Sequence, residues 1–278
     1  MKQLFDEIAQ EVSKSMTVKY STSFSWGIKA ISPKIRPGIY AIYGFVRLAD
    51  EIVDSFHDYD KDRLLKRLDA QTWEAIEEGI SLNPILESFQ HTVNKYQIDH
   101  QLIRQFLHSM AMDLQPVNYS KEKYEEYILG SAEVVGLMCL KIFVQGDQAL
   151  YEQLKPYAMK LGSAFQKVNF LRDLKYDYQA LGRTYFPKLD LSVFDDQAKH
   201  AIQHEIEDDF KEALIGIKRL PMASRFGVYL AYKYYLSLLN KIKDTPVEGI
   251  MEGRIRIPNA RKLSLAMSSY LSYKVSIY

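Results

Sequence analysis

The chain has 278 residues and a formal net charge of +1, from 36 basic and 35 acidic side chains. That balance argues against a nucleic-acid-binding protein, which normally carries a surplus of basic residues. Apolar residues make up 47% of the chain, enough for a substantial core, and no apolar run reaches the length of a membrane-spanning helix. The first residues lack the apolar stretch of a signal peptide, and Cys139 is the only cysteine, which excludes an internal disulfide. We therefore expect a soluble, cytoplasmic protein.

Hydrophobic periodicity predicts helices along the chain, and no segment shows the alternation that is typical of a strand. The first helix, residues 2–16, is amphipathic, and its apolar side carries Leu4, Phe5, Ile8 and Val12. The other predicted helices cover residues 33–58, 61–78, 84–96, 99–114, 121–144, 149–177, 194–218 and 222–243. We expect an all-α fold, organised as a single domain over residues 1–278.

Two of these helices carry the same acidic pattern, D-x-x-x-D. It occurs as Asp50 and Asp54 in the second predicted helix, and again as Asp173 and Asp177 far downstream. Residues four apart lie on the same face of an α-helix, with their Cβ atoms about 6 Å apart. Each helix therefore presents two carboxylates in one direction. One such pair alone could equally belong to a solvated helix face.

Polar residues extend both acidic faces toward the helix N-termini. Tyr43 and Arg47 precede the first pair, and Gln166 and Asn169 precede the second, all at spacings of three or four. Both stripes run through apolar segments, where an unpaired carboxylate is costly. Carboxylate oxygens suit Mg²⁺, which usually completes its shell with waters and substrate phosphates. We predict that the two stripes face each other and bind Mg²⁺ together with a diphosphate substrate.

Further motifs accompany the acidic pairs in the same chain. They are Ser21–Phe24, Gly130–Gly136, Gly182–Pro187, Tyr235–Leu239 and Arg254–Pro258. Together with the acidic pairs, this set resembles the squalene/phytoene synthase family, the head-to-head prenyl-diphosphate synthases, over nearly the whole chain. The resemblance implies an isoprenoid-synthase-like helical bundle around a central cavity.

The resemblance also implies roles for individual residues. Metal binding is implied for Asp50, Asp54, Asn169, Asp173 and Asp177, with Glu51 as a further candidate. Tyr235 joins the four aspartates as a catalytic residue, and Tyr232 is the alternative if the register is shifted by three. Substrate binding is implied for Ser21, Ser23, Tyr43, Arg47, Gln166, Asn169, Arg172 and Arg254.

At two positions the sequence departs from the family pattern. The family usually has histidine where Tyr20 stands, and many members have an aromatic residue where Leu129 stands. No role is carried over to either residue.

The function implied is Mg²⁺-dependent condensation of two geranylgeranyl diphosphates to phytoene, through a cyclopropylcarbinyl diphosphate, prephytoene diphosphate. The motifs look most like those of bacterial phytoene synthases, so no NADPH is expected, and Mn²⁺ could replace Mg²⁺. One alternative is squalene or dehydrosqualene synthesis from two farnesyl diphosphates. Another is a non-catalytic protein that binds diphosphates or a helical partner. Because the substrate is hydrophobic, we expect transient, peripheral contact with a membrane. No required protein partner is evident.

Three motifs leave a structural and a functional interpretation open. Ser21 could cap a turn or donate to diphosphate. Gly130, Ala132 and Gly136 could allow close helix packing or make room for a prenyl chain. Residues 182–187 could be a plain connection or a loop that folds over the site.

Overall fold

The computed structural model describes residues 1–115, 120–187 and 194–276. Within these ranges the chain forms thirteen α-helices and one π-helical segment, Leu129–Glu133, and no β-strand. The all-α prediction is confirmed. The helices are α1 Lys2–Tyr20, α2 Thr22–Lys29, α3 Arg36–Asp54, α4 Lys61–Glu78, α5 Pro84–Tyr96, α6 His100–Met112, α7 Lys121–Ile128, α8 Val134–Phe143, α9 Gln148–Leu181, α10 Asp196–Arg219, α11 Met222–Lys243, α12 Val247–Glu252 and α13 Asn259–Ser276.

Helix α3 lies at the centre of the N-terminal half and contacts α1, α4, α5, α6 and α8. Its inward face includes Phe45 and Ala49, which have no exposed surface. The ring of Phe45 stacks on that of Phe89 in α5, with 3.9 Å between centroids. The helix ends at Asp54 rather than near residue 58, so the first acidic motif occupies its last turn.

Helix α9 is the longest element, with 34 residues. The Asp147 side chain caps its first turn by accepting from the amide of Leu150 at 2.9 Å. At the other end Gly182 adopts φ +66°, a left-handed conformation that glycine adopts without steric cost. The helix packs against α8, α10 and α11, and so links both halves of the structure.

Helix α1 packs on the core through small residues. Its buried residues are Ala9, Ser13 and Thr17, whereas Leu4, Ile8 and Val12 are exposed. A Cβ added to Gly44 of α3 would lie 3.2 Å from the Cβ of Ser13. The small side chains of α1 therefore allow a close approach to α3, and the predicted apolar side of the helix does not form its buried face.

Helices α2 and α11 touch at a pair of glycines. A Cβ added to Gly227 would overlap Ile31 and the carbonyl oxygen of Gly27. We expect Gly227→Ala to lower the free energy of unfolding by about 1–3 kcal/mol, because the backbone of α2 would have to move. Urea denaturation measures this change. Gly253→Ala is the control, because no atom lies within 4 Å of a Cβ built there, and equal destabilisation by both variants would contradict the prediction.

Candidate active site

A cavity of about 1160 Å³ lies among α2, α3, α8, α9, α10 and α11. Asp50, Asp54, Asp173 and Asp177 all line it. The structure therefore brings together two acidic motifs that are distant in sequence, one on α3 and the other on α9.

The charges of the aspartates couple the two motifs. Burial raises the pKa of Asp50 to about 7, with a further contribution from the charge of Asp54. Burial also raises the pKa of Asp177 to about 8, and the charges of Asp173 and Asp54 add to the shift. Because Asp54 on α3 acts on Asp177 on α9, the two carboxylate pairs repel each other across the cavity. A cation between them would relieve that repulsion.

On α3, Arg47 lies between several possible partners. Its guanidinium pairs with the buried carboxylate of Glu51 and approaches Asp50 to 3.9 Å. The ring of Tyr20 lies 4.3 Å from the guanidinium carbon. Glu51 is not among the residues lining the cavity, so its position favours holding Arg47 over binding a metal.

On α9, two arginines converge on Asp173. Arg172 donates to Asp173 through Nε at 3.0 Å, and Arg254 Nε lies 2.8 Å from the same carboxylate. The segment carrying Arg254 is held over α9, because Lys175 donates to the carbonyl oxygen of Glu252 at 2.7 Å. The guanidinium groups of Arg172 and Arg254 thus lie beside the carboxylates, where they could bind the oxygens of a diphosphate.

A chain of weaker hydrogen bonds continues along the same face of α9. Asn169 donates to Gln166 at 3.4 Å, and Gln166 donates to Ser131 at 3.3 Å. The Tyr235 hydroxyl donates to the side-chain oxygen of Asn169 at 3.3 Å. Tyr235 lines the cavity whereas Tyr232 does not. This position favours Tyr235 over Tyr232 as the tyrosine of the site.

The two N-terminal serines differ in position. Ser21 lines the cavity, and its hydroxyl oxygen caps α2 by accepting from the amide of Phe24 at 3.2 Å. Burial raises the pKa of Tyr43, and a hydrogen bond with Ser21 opposes that shift. Ser23 is not among the lining residues, so its position gives no support to a substrate contact. Ser21 acts as a cap at the cavity wall.

No role is predicted from the sequence for two polar residues that lie at the site, Arg183 and Asp113. Arg183, on the connection after α9, donates to Asp54 at 2.8 Å and to the carbonyl oxygen of Asp113 at 2.8 Å. Asp113 accepts from the Tyr127 hydroxyl at 2.7 Å. Arg183 belongs to the Gly182–Pro187 motif, which therefore contributes a side chain to the site. No spacing pattern in the sequence indicates Asp113.

The four aspartates are partly exposed, and the part of the cavity that they line is called its mouth. Aromatic rings form another part of the cavity wall. In one group the rings of Phe165 and Tyr235 stack 4.0 Å apart, and Phe24 lies 5.6 Å from Tyr235. In a second group Tyr185 stacks on Phe170 at 4.2 Å. The negative faces of such rings attract cations. Phe24, Phe165, Phe170 and Tyr185 carried no role in the sequence prediction, because aromatic residues are common in any core.

The glycine motif packs closely against neighbouring helices and also borders the cavity. A Cβ on Gly130 would lie 2.7 Å from Ser109 in α6, and one on Gly136 would lie 3.0 Å from the carbonyl oxygen of Ala158 in α9. Both glycines therefore allow close helix packing. Ser131, Ala132 and Gly136 also line the cavity. The motif begins in the π-helical turn, a local irregularity that is frequent at functional sites.

A family model for squalene/phytoene synthase matches residues 17–261. The chain belongs to this family. The phytoene synthase of Arthrospira platensis is 25% identical over 91% of this chain and 89% of its own length. The 15-cis-phytoene synthase of Synechocystis sp. is 28% identical over 97% of this chain and 86% of its own length. The resemblance predicted from the motifs is confirmed.

The fold agrees with that membership. The crystal structure of a dehydrosqualene synthase in complex with ligand superposes with a TM-score of 0.84, covering 97% of this chain and 98% of that chain at 21% identity. None of the helices in the described ranges combines the length and apolar character needed to span a membrane. Membership of the squalene/phytoene synthase family supports prenyl transfer by head-to-head condensation of prenyl diphosphates.

Proposed function

We propose that this family member condenses two molecules of geranylgeranyl diphosphate to phytoene, through prephytoene diphosphate, and that residues 1–278 form one catalytic domain. The observation that carries the proposal is the convergence of both D-x-x-x-D pairs on one largely apolar cavity. The phytoene synthase relatives favour the C20 substrate.

The residues at the cavity mouth fit Mg²⁺ through the chemistry of their donor groups. The four aspartates and Asn169 offer hard oxygen ligands from two helices. Among the described residues, no three His, Cys, Asp or Glu side chains converge on a single point. Mg²⁺ is commonly held by one or two carboxylates, with waters and substrate phosphates completing its shell. Bound here, Mg²⁺ would supply the charge that stabilises a departing diphosphate, and Mn²⁺ could replace it.

The arginines of the site add to that stabilisation. Arg172 and Arg254 are already oriented by Asp173, and Arg47 lies beside Asp50. Preoriented donors stabilise developing negative charge without reorganising during the reaction. The allylic carbon–oxygen bond of the first substrate then breaks heterolytically, the electron pair leaves with the diphosphate, and no protein nucleophile is required.

The cavity below the mouth would protect the allylic cation. Water would quench it, and the apolar wall excludes water. The faces of Phe165, Tyr235, Phe170 and Tyr185 would stabilise the positive charge. The double bond of the second substrate attacks the cation, and loss of a proton closes the cyclopropane ring. A second ionisation and rearrangement, followed by proton loss, gives phytoene without NADPH.

Synthesis of squalene or dehydrosqualene from two farnesyl diphosphates is the second candidate, favoured by the fold shared with a dehydrosqualene synthase. The purified protein, incubated with each diphosphate and Mg²⁺, with and without NADPH, distinguishes them. We expect a C40 product from geranylgeranyl diphosphate that is independent of NADPH and is abolished by EDTA. A C30 product alone would overturn the phytoene proposal, and tight binding without turnover would favour a non-catalytic diphosphate-binding protein.

A further inference from the structure

Arg183 joins three helix ends at the cavity mouth. Its side chain is only 6% exposed, although it lies on a connection rather than in a helix. The guanidinium donates to Asp54 at the end of α3 at 2.8 Å, and to the carbonyl oxygen of Asp113 just after α6 at 2.8 Å. The residue itself follows the last turn of α9. One side chain therefore connects the end of α3 to the end of α9.

The carboxylate of Asp113 holds Arg183 in turn. Asp113 Oδ1 lies 3.4 Å from Arg183 Nη1, and the Asp113 side chain is 3% exposed. The Tyr127 hydroxyl donates to Oδ2 at 2.7 Å, and the Tyr185 hydroxyl donates to Oδ1 at 3.3 Å. Asp113 belongs to the cavity lining, but both of its carboxylate oxygens have partners and the group is directed at Arg183.

Asp54 is bound by Arg183 in a way that leaves room for a second partner. The bond uses Oδ1, and the Asp54 side chain remains 35% exposed. Carboxylates that bind metals are commonly oriented by a hydrogen bond to an outer residue, and loss of that residue typically lowers metal affinity 10–100-fold. The geometry of Asp54 matches this arrangement, with Arg183 as the outer residue.

We propose that Arg183 is a positioning residue that orients Asp54 for metal–diphosphate binding, and that Asp113, with Tyr127 and Tyr185, positions Arg183. The proposal rests on the proposed function, since it assumes that Asp54 binds the metal. It predicts that Asp113 acts only through Arg183, although Asp113 lies on a different segment and has no place in the acidic motifs.

The test is binding of Mn²⁺ in the presence of inorganic diphosphate, measured by isothermal titration calorimetry and by electron paramagnetic resonance. We expect Arg183→Gln to weaken Mn²⁺ binding by about 10–100-fold. Arg183→Lys should recover part of the affinity, because lysine keeps the charge but cannot bridge Asp54 and Asp113 with one planar group. Asp113→Asn should weaken binding alone, but add nothing to Arg183→Gln in the double variant.

Lys167→Met is the matched control. Lys167 is as buried as Arg183 and pairs with Asp209 at 2.7 Å, but it does not line the cavity. It should lower thermal stability and leave Mn²⁺ affinity unchanged. If Arg183→Gln does not fold, Tyr185→Phe is the substitute: it keeps the ion pair but removes the hydrogen bond to Asp113 and the one that Arg183 donates to the Tyr185 hydroxyl at 3.2 Å. A few-fold loss of affinity is then expected.

The outcomes separate this inference from the proposed function. Absence of Mn²⁺ binding by the wild-type protein would overturn the proposed function itself. Wild-type affinity in folded Arg183→Gln, or in Tyr185→Phe where that variant replaces it, would overturn the positioning role. If the double variant binds Mn²⁺ more weakly than Arg183→Gln alone, Asp113 contacts the ion or acts by another route. That result would overturn the proposal that Asp113 acts through Arg183.

Discussion

Replacing Asp173 with asparagine is expected to lower the rate of prenyl-diphosphate condensation by at least about 10²-fold. Asp173 lines the cavity and is the carboxylate on which Arg172 and Arg254 converge. Asparagine has nearly the same shape but no charge, so it weakens the metal site and releases both arginines from their orientation. Product formation from labelled geranylgeranyl diphosphate at saturating Mg²⁺ measures the effect.

The control for this variant is Asp58→Asn, an exposed aspartate four residues beyond the end of α3. It removes one negative charge without touching the cavity, and turnover should stay at the wild-type level. Circular dichroism and thermal unfolding should show that both variants are folded. Turnover at the wild-type rate by Asp173→Asn would show that Asp173 has no role in the reaction, and would contradict the proposed function.

Mg²⁺ affinity is expected to rise by about 10²–10³-fold between pH 6 and pH 8. The pKa of Asp177 is raised to about 8 and that of Asp50 to about 7, and each carboxyl must lose its proton to bind the ion. Calorimetry with Mg²⁺ and inorganic diphosphate at pH 6, 7 and 8 gives the slope. Inorganic diphosphate also titrates in this range, so the wild-type protein is compared with Asp177→Asn. Mg²⁺ affinity should rise less steeply with pH in this variant. Equal slopes of affinity against pH would contradict the role of Asp177 in binding the ion.

The same pKa shifts predict the opposite trend for stability without metal. A carboxyl whose pKa is raised in the folded state binds more protons folded than unfolded, so its stabilising contribution is lost as pH rises through the folded pKa. For Asp50 and Asp177 that range is about pH 6–8. We expect urea unfolding in EDTA to show a loss of about 1–2 kcal/mol across it, after allowance for solvent screening. Greater stability at pH 8 than at pH 6 would contradict the raised pKa values.

Local signals explain why several helix limits are predictable from sequence. Helix α4 begins after Asp60, whose side chain accepts from the amide of Arg63, and α5 begins after Asn83, with Pro84 in its first turn. Such caps satisfy the free amides of the first turn using residues only two or three positions away. The observed bounds, Lys61–Glu78 and Pro84–Tyr96, match the predicted ones.

Helical periodicity is also sufficient to place the aspartates of each motif on one face. It does not reveal Asp113 or the role of Arg183, because Arg183 contacts residues 70 and 129 positions away, and no spacing rule encodes such pairs. It also does not reveal which face of α1 is buried, because the close approach of Ser13 to Gly44 depends on a partner helix. What could not be predicted is the set of contacts that arise only when separate elements meet.

The uninterrupted course of α9 constrains how the chain can change in length. Gly162, Asn169, Asp173 and Asp177 face the cavity from this one helix. Adding or deleting a single residue within it would rotate everything downstream by about 100° about the helix axis. A change between Gly162 and Asn169 would turn the aspartates away from the cavity, whereas Gly162 would keep its close approach to the carbonyl oxygen of Ala132. Tolerated insertions and deletions should therefore fall outside Gln148–Leu181, however variable the remainder of the chain is.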